Sequence, residues 1–298
     1  MDDATREFNR LLLLAPDAFP PLSAIVHADI GAHSRRGTVQ TANSDHYLVL
    51  KLGRSQQTLL TSLPQDAITK RFDEHAYGMV IADGMGALGE VASGLSIAAL
   101  LQLALRFGRW QVRVDNLLAP DIIERITRFY RQIDSALVNV NRMGTVAPLH
   151  STLTAAVSGG RDLFFAHVGH SRAYLVRASE LIMLTRDHPH AAFREQTHAH
   201  LVDLTAAASD LHHVLTDALG AGTVDPQIDV ERLTLDDRDL VLLCTNGLSD
   251  ALDDGEIAKI LGSRQPVQEV CEALVSRAGE GDTEDDVTVV LARYHVPE

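Results

Sequence analysis

The sequence predicts an α+β fold built on antiparallel sheets. Apolar stretches of strand length come in runs separated by short polar turns, and segments with helical spacing come in runs of their own. Two long helical segments lie next to each other in the chain, at 89–107 and 121–140. Three closely spaced strands follow, at 151–158, 162–168 and 172–177, and connections this short join antiparallel neighbours.

The first part of the chain is predicted to carry three strands behind an N-terminal extension. The extension has the spacing of a short amphipathic helix, which Pro16 ends because proline cannot continue a helix. Residues 53–76 are polar and have no clear period, so we expect an irregular insertion there. The predicted elements are, in order, a helix at 4–15, a linker at 18–23, and strands at 23–28, 46–52 and 77–82.

The two long helices have different patterns. Small and apolar residues without proline indicate a buried helix at 89–107. The segment 121–140 has apolar residues three and four apart, and Pro120 stands just before its start. Gly159-Gly160 fits a hairpin turn. The remaining predicted elements are a loop-like segment at 187–226, a buried strand at 239–245, a helix at 267–278 and a last strand at 287–294.

Composition narrows the range of functions. The chain has 298 residues, 46% of them hydrophobic, and a formal net charge of −14 with no run of Lys or Arg, which argues against nucleic-acid binding. Cys244 and Cys271 have no zinc-finger or disulfide-scaffold spacing. The apolar run 11–14 is far too short to span a bilayer. We expect a soluble cytoplasmic protein that binds neither nucleic acid nor membrane.

A strand that ends in Gly169-His-Ser171 is similar to the start of a nucleophile elbow, which presents a catalytic serine. That motif requires a second glycine two residues after the serine and a helix behind it. Ala173 stands at the glycine position, and residues 172–183 have the pattern of strand, turn and strand. The sequence therefore disfavours a serine hydrolase using Ser171, which we keep as a third hypothesis.

Carboxylate and amide side chains recur where apolar strands begin or end. Oxygen donors of this kind suit Mg²⁺ or Mn²⁺ if they converge on one point. Aspartate is also a common turn former, so the pattern by itself leaves a turn interpretation open. The residues are Asp45, Asp83, Asn246, Asp250, Asp285 and Asp286.

Eight short motifs stand in a fixed order along the chain. They are SRRGTVQTANSD at 34–45, ADGMGALGEVAS at 82–93, STLT at 151–154, VGHSRAYL at 168–175, LTRDH at 184–188, TDALG at 216–220, LCTNGL at 243–248 and DDVTVV at 285–290. With these motifs the chain resembles the metal-dependent protein phosphatases of the PPM family, the type 2C serine/threonine phosphatases, in a divergent bacterial form. The resemblance runs from about residue 28 to residue 294.

The resemblance implies a four-layer α-β-β-α sandwich, two central antiparallel sheets flanked by helices, with a binuclear metal centre at one end. It implies hydrolysis of phosphoserine and phosphothreonine in proteins by a metal-bound water, with two or three Mn²⁺ or Mg²⁺ ions and no side-chain nucleophile. Asp83 would bridge two ions, Asp285 would bind one of them, and Asp45 would support the cluster. The metal residues implied are Asp45, Asp83, Gly84 through its carbonyl, His170, Asn246, Asp250 and Asp285.

Four positions depart from the family pattern. Gln40 stands where an arginine that binds the substrate phosphate is usual, so it keeps a donor without the charge. Ser44 and Asn246 stand where Glu and a metal-binding Asp are usual, and His170 replaces an Asp that binds a third metal. We expect a working or weak phosphatase that prefers Mn²⁺. The alternative is a pseudophosphatase that binds phosphoproteins or a partner without turnover.

The resemblance also implies the domain organisation. We expect an N-terminal extension at 1–23 and a single phosphatase domain at 24–296, with an insertion at 53–76 and a flap-like segment at 187–226. The expected partner is a phosphorylated protein substrate of a serine/threonine kinase pathway.

Overall fold

The structure is a computed structural model that describes residues 26–39, 41–64, 71–108, 119–188, 218–222, 226–281 and 283–297. Its strands are β1 (His27–Arg35), β2 (Asp45–Gln57), β3 (Arg71–Met85), β4 (His150–Ser151), β5 (Leu153–Gly159), β6 (Asp162–Val168), β7 (Arg172–Arg177), β8 (Glu180–Met183), β9 (Asp229–Thr234), β10 (Leu240–Cys244) and β11 (Val287–His295). Its helices are α1 (Gly89–Phe107), α2 (Ala119–Arg142), α3 (Asn246–Ala251), α4 (Asp254–Leu261) and α5 (Val267–Gly279).

The strands form two antiparallel sheets. The first has the order β1-β11-β10-β7-β8, and the second has the order β2-β3-β5-β6-β9, with the short β4 paired to the end of β3. Neighbours that are distant in sequence are joined in both sheets, as in the pairing of His27 with His295. The predicted pair of antiparallel sheets is confirmed.

Three hydrophobic clusters show how the layers stack. Met79 and Ile81 of β3 contact side chains of the other sheet, such as Val290, so these residues lie between the sheets. Their neighbours Val80 and Ala82 point to the opposite face and pack under α1 and α2. The outer face of the first sheet is covered by α3, α4 and α5. The order of layers is therefore helix, sheet, sheet, helix, as predicted.

Several predicted boundaries are wrong. The first strand begins at His27 rather than at residue 23, and it runs to Arg35. The two ends of the expected insertion at 53–76 form a paired two-stranded arm, because β2 runs to Gln57 and β3 begins at Arg71, while residues 65–70 lie outside the described residues. Backbone hydrogen bonds between its two strands hold this arm whatever its side chains are. An alternation of apolar and polar residues is therefore not needed for it to form. The N-terminal extension lies outside the described residues, and so does most of the flap-like segment.

The expected burial of the helix at 89–107 holds for part of it only. Ala92, Ser93 and Ile97 are buried, whereas Leu95 and Phe107 are exposed. Within the part of the chain that the structure describes, α1 is the one helix long and apolar enough to cross a membrane by length and composition. It packs against β2 and β3 in this fold.

Three elements were not predicted. Strand β9 is half-buried and lies at the edge of its sheet, so its apolar pattern is weak. Helices α3 and α4 are too short to show a period. A local signal for α4 was present, since Asp253 accepts a hydrogen bond from the amide of Glu256, the pairing expected of a helix cap.

Candidate metal centre

The carboxylates of the second sheet meet at one end of the space between the sheets. Asp45 is the first residue of β2 and pairs directly with Asp83, near the end of β3. Side chains alternate along a strand, so Asp83 lies on the same face as Ile81, which contacts the first sheet. The first sheet contributes the loop before β11, with Asp285 and Asp286, at this same end.

The turn after Asp83 depends on a close approach of two backbones. A Cβ atom on Gly84 would overlap the carbonyl group of Gly89, and a Cβ atom on Gly89 would overlap that of Gly84. Glycine at both positions lets α1 begin directly against the end of β3. Ser93 of α1 donates to the carbonyl of Ser44 (2.6 Å), which ties the helix to the residue before Asp45.

The backbone of Asp83 is held by Thr152. The amide of Thr152 donates to the carbonyl of Asp83 (2.8 Å), and the amide of Asp83 donates to Thr152 Oγ1 (3.0 Å). Thr152 Oγ1 also shares a hydrogen bond with Ser171 Oγ (2.8 Å). Ser171 is fully buried. The chain after it turns back at Ala178 and Ser179, which have positive φ values, so Ser171 begins a hairpin rather than a strand-to-helix turn. Ser171 therefore has a supporting role: its hydroxyl group holds the side chain of Thr152.

We expect the Ser171→Ala variant to retain catalysis within about fivefold of the original chain, because it removes one supporting hydrogen bond worth about 1 kcal/mol. A nucleophilic role would instead require near-complete loss. The measurement is turnover of a phosphorylated substrate beside labelling with a fluorophosphonate probe. Covalent labelling of Ser171 would contradict the supporting role.

Asp45 has one satisfied oxygen and one unsatisfied oxygen. Thr245 Oγ1 donates to Asp45 Oδ2 (2.8 Å), and Thr245 is itself held by the amide of Thr288 (2.9 Å). Asp45 Oδ1 is buried and has no hydrogen-bond partner among the described residues. Burial, together with the charges of Asp286 and Asp285, raises the pKa of Asp45 to about 7. A buried carboxylate oxygen without a donor is suited to a cation or a water molecule bound to one.

Asp286 has a structural role that the sequence did not reveal. Its Oδ1 accepts from the amide of Gly37 (2.8 Å), and its Oδ2 accepts from the amide of Ser44 (2.6 Å). Both oxygens are therefore used to close the loop that ends at Asp45. The repeated acid at 285 and 286 was a visible signal, but nothing in the sequence distinguishes the ligand from the support.

Asn246 and Asp285 are in direct contact. Asn246 Nδ2 donates to Asp285 Oδ2 (2.8 Å), since a carboxylate can only accept. Asn246 begins α3 directly after β10, and Asp250 lies exposed one turn later. Burial raises the pKa of Asp83 well above its usual value, and repulsion from Asp45, Asp285, Asp286 and Asp250 adds to this effect. The described surroundings of the acid cluster therefore disfavour the ionised form of Asp83.

The donor set fits a divalent cation, although the ligands are not yet in place. Within the described ranges, no three His, Cys, Asp or Glu side chains are arranged to hold a metal ion as they stand. Asp286 is used by the backbone, and Asp285 is bonded to Asn246. The remaining donors are hard oxygen atoms, which Mg²⁺ and Mn²⁺ prefer. A cation would be favourable beside the oxygen of Asp45 that has no donor and beside Asp83, whose pKa is raised.

The other predicted site residues are placed differently. His170 Nε2 donates to the carbonyl of His188 (2.7 Å), and His188 in turn contacts Asp229 (3.1 Å) and the amide of Gly169 (3.3 Å). This nitrogen of His170 is thus engaged with the backbone, and its role as a third-metal ligand stays a prediction. Gln40, the predicted phosphate-binding residue, lies outside the described residues.

One cavity lies away from the carboxylate cluster. It has a volume of about 160 Å³ and is lined by the outer face of the second sheet together with α1 and α2. None of the residues assigned above to the carboxylate cluster lines it.

The four layers, with a carboxylate cluster at one end of the space between the sheets, define an α-β-β-α sandwich protein. The sequence profile of the protein phosphatase 2C family matches residues 61–287. The chain belongs to this family.

Relatives and solved structures agree with this assignment. Serine/threonine protein phosphatase PstP of Mycobacterium tuberculosis is 33% identical over 223 residues, which are 72% of this chain and 40% of that protein. Serine/threonine phosphatase stp of Listeria innocua serovar 6a is 26% identical over 231 residues, which are 73% of this chain and 84% of that protein. The chain thus spans less than half the length of PstP.

Two solved structures of PstP share the fold. The Mycobacterium tuberculosis PstP/Ppp structure superimposes with a TM-score of 0.63 at 27% identity, covering 89% of this chain and 98% of that one. The PstP catalytic domain in complex with two manganese ions gives a TM-score of 0.62 at 26% identity, covering 91% of this chain and 99% of that one. The predicted fold class and family are both confirmed.

Proposed function

We propose that this chain is a metal-dependent protein phosphatase that hydrolyses phosphoserine and phosphothreonine. The observation that carries the proposal is the convergence of Asp45 and Asp83 from one sheet with Asp285 and Asn246 from the other. Asp45 is buried and the other three are half-buried, and their surroundings disfavour the ionised form of Asp83. Family membership and the names of the relatives support the same reaction.

Some residues of the cluster would bind the cations, and others hold the backbone that carries those ligands. Asp83, Asp285 and the carbonyl groups of Asn246 and Gly84 would bind them, and Asp45 would bind directly or through water. Thr152 fixes the peptide of Asp83, while Asp286 fixes the loop that leads to Asp45. Bound divalent ions lower the pKa of a water molecule and neutralise charge on phosphoryl oxygens, which are the two requirements of phosphomonoester hydrolysis.

We infer two ions of Mn²⁺ or Mg²⁺, with Mn²⁺ preferred. The solved PstP complex with two manganese ions supports the number. The neutral amide of Asn246 gives a donor set with one charge fewer than four carboxylates would provide, which favours the ion that is less demanding of charge and geometry. A phosphorylated protein of a kinase pathway is the proposed substrate, and a cytoplasmic location remains a prediction from the sequence.

The test is turnover of p-nitrophenyl phosphate and of a phosphothreonine peptide with Mn²⁺, with Mg²⁺ and with EDTA. We expect turnover with Mn²⁺, less with Mg²⁺, and none with EDTA. Absence of turnover in every metal, combined with binding of a phosphoprotein, would contradict the proposal and select the pseudophosphatase alternative. Turnover that persists in EDTA would contradict the metal requirement itself.

A further inference from the structure

The two helical layers of this protein cover their sheets to different degrees. On the first sheet, Ile257, Leu261, Cys271 and Leu274 are at most 1% exposed, so this layer is closed. On the second sheet, large aliphatic side chains in the equivalent position between helix and sheet are only partly buried. They include Leu48, Leu50 and Leu52 of β2, Leu100 and Leu101 of α1, and Ile126 of α2.

A cavity of about 160 Å³, partly open to solvent, lies at this position between α1, α2 and the outer face of the second sheet. Protein interiors rarely keep voids larger than a water molecule, because apolar walls that do not touch lose their packing contacts. The fold closes the corresponding layer on the other sheet, so the open layer is not forced by the architecture. Its walls are aliphatic and aromatic, apart from the polar groups at its edge.

Arg125 of α2 is the one charged residue among the described residues that line the cavity. It is partly buried, and it has no hydrogen bond or ion pair with the described residues. The cavity therefore offers an apolar interior and a single positive charge. A ligand that complements both has an aliphatic chain and one terminal anion.

We propose that this cavity binds a single-chain aliphatic carboxylate, with the chain between α1 and the second sheet and the carboxylate at Arg125. An apolar cavity of about 150 Å³ takes up a molecule of six carbon atoms. The volume of this cavity therefore suits a chain of about six to seven carbon atoms, so octanoate, with six methylene groups and a terminal methyl group, is the matching probe. The site is separate from the metal centre, and the proposal does not rest on the proposed phosphatase activity.

The experiment is calorimetric titration of the full chain with octanoate, in EDTA so that metal binding does not contribute. Octanol carries the same chain without the charge, and we expect it to bind roughly tenfold more weakly, since a hydrogen-bonded charge pair contributes about this factor. The Arg125→Ala variant should bind octanoate more weakly by a similar factor and should bind octanol with unchanged affinity. Arg128→Ala is the matched control, because Arg128 is an exposed arginine on the same helix that does not line the cavity.

A second variant tests the location of the chain. Ala104 of α1 lines the cavity, and Ala104→Leu places three more carbon atoms in it. We expect the affinities of this variant for octanoate and for octanol both to fall at least about fivefold, while its circular dichroism spectrum stays unchanged. Equal binding of octanoate and octanol, or no effect of Arg125→Ala, would overturn the assignment of the anion. Absence of binding by both ligands would overturn the site.

Discussion

The Asp83→Ala variant is expected to lose at least about a thousandfold in kcat/KM for a phosphothreonine peptide while keeping its fold. Asp83 lies near the end of β3, pairs with Asp45 and faces the first sheet, so its carboxylate is central to the cluster. A divalent ion held there contributes several kcal/mol of charge stabilisation to the transition state, and about 4 kcal/mol corresponds to a factor of a thousand in rate. The measurement is steady-state turnover with saturating Mn²⁺.

Thermal unfolding in EDTA separates this effect from misfolding. Burial and neighbouring acids raise the pKa of Asp83 in the folded state, so its ionised form opposes folding at any pH above the pKa of the unfolded chain. Removing the carboxylate should therefore raise the melting temperature at pH 7 in EDTA. Asp29→Ala is the control, because Asp29 is an exposed acid on β1. A variant that keeps turnover would show that Asp83 is not part of the metal centre.

The strand-end acids were accessible from the sequence because an apolar run shows where a buried strand stops. Asp83 follows such a run, and Asp45 precedes another. Their meeting across β2 and β3 needs only a local hairpin, which the structure confirms. The convergence with the first sheet was different, since it depends on β11 lying between β1 and β10. Sequence periodicity does not encode such long-range pairing. The prediction that the two sheets bring their acids together came from the family resemblance alone.

The supporting contacts were less predictable still. Asp285 and Asp286 are adjacent and chemically identical, yet one faces Asn246 and the other closes the loop at Gly37 and Ser44. Both residues lie in the loop before β11, so the division of roles follows from the backbone conformation of that loop, which composition does not reveal. The helical segment at 89–107 gave a similar error. Its apolar composition indicated burial, but Leu95 and Phe107 of α1 are exposed.

The Asn246→Asp variant is expected to bind Mn²⁺ at least about tenfold more tightly and to be less stable without metal. A fourth carboxylate increases the charge of the donor set, on which affinity for hard cations depends. In the absence of metal, the same change replaces a hydrogen bond of 2.8 Å to Asp285 with repulsion between two acids. The loss should be about 1–3 kcal/mol, the usual effect of leaving a charged acceptor without its donor. Calorimetric titration with Mn²⁺ and thermal unfolding in EDTA measure the two effects.

The Asn246→Asp variant is expected to bind Mn²⁺ more tightly and to be less stable without metal, and this combination distinguishes the prediction from a general loss of stability. Asn246→Ala removes the hydrogen bond without adding charge, so it should lower the melting temperature in EDTA but should not tighten Mn²⁺ binding. If Asn246→Asp raised turnover at limiting Mn²⁺ and not at saturating Mn²⁺, the amide would limit the loading of the centre rather than its chemistry. Equal Mn²⁺ affinity in the original chain and the aspartate variant would show that position 246 is not a ligand. Asn246 would then serve only to hold Asp285, and the cations would depend on the remaining oxygen donors.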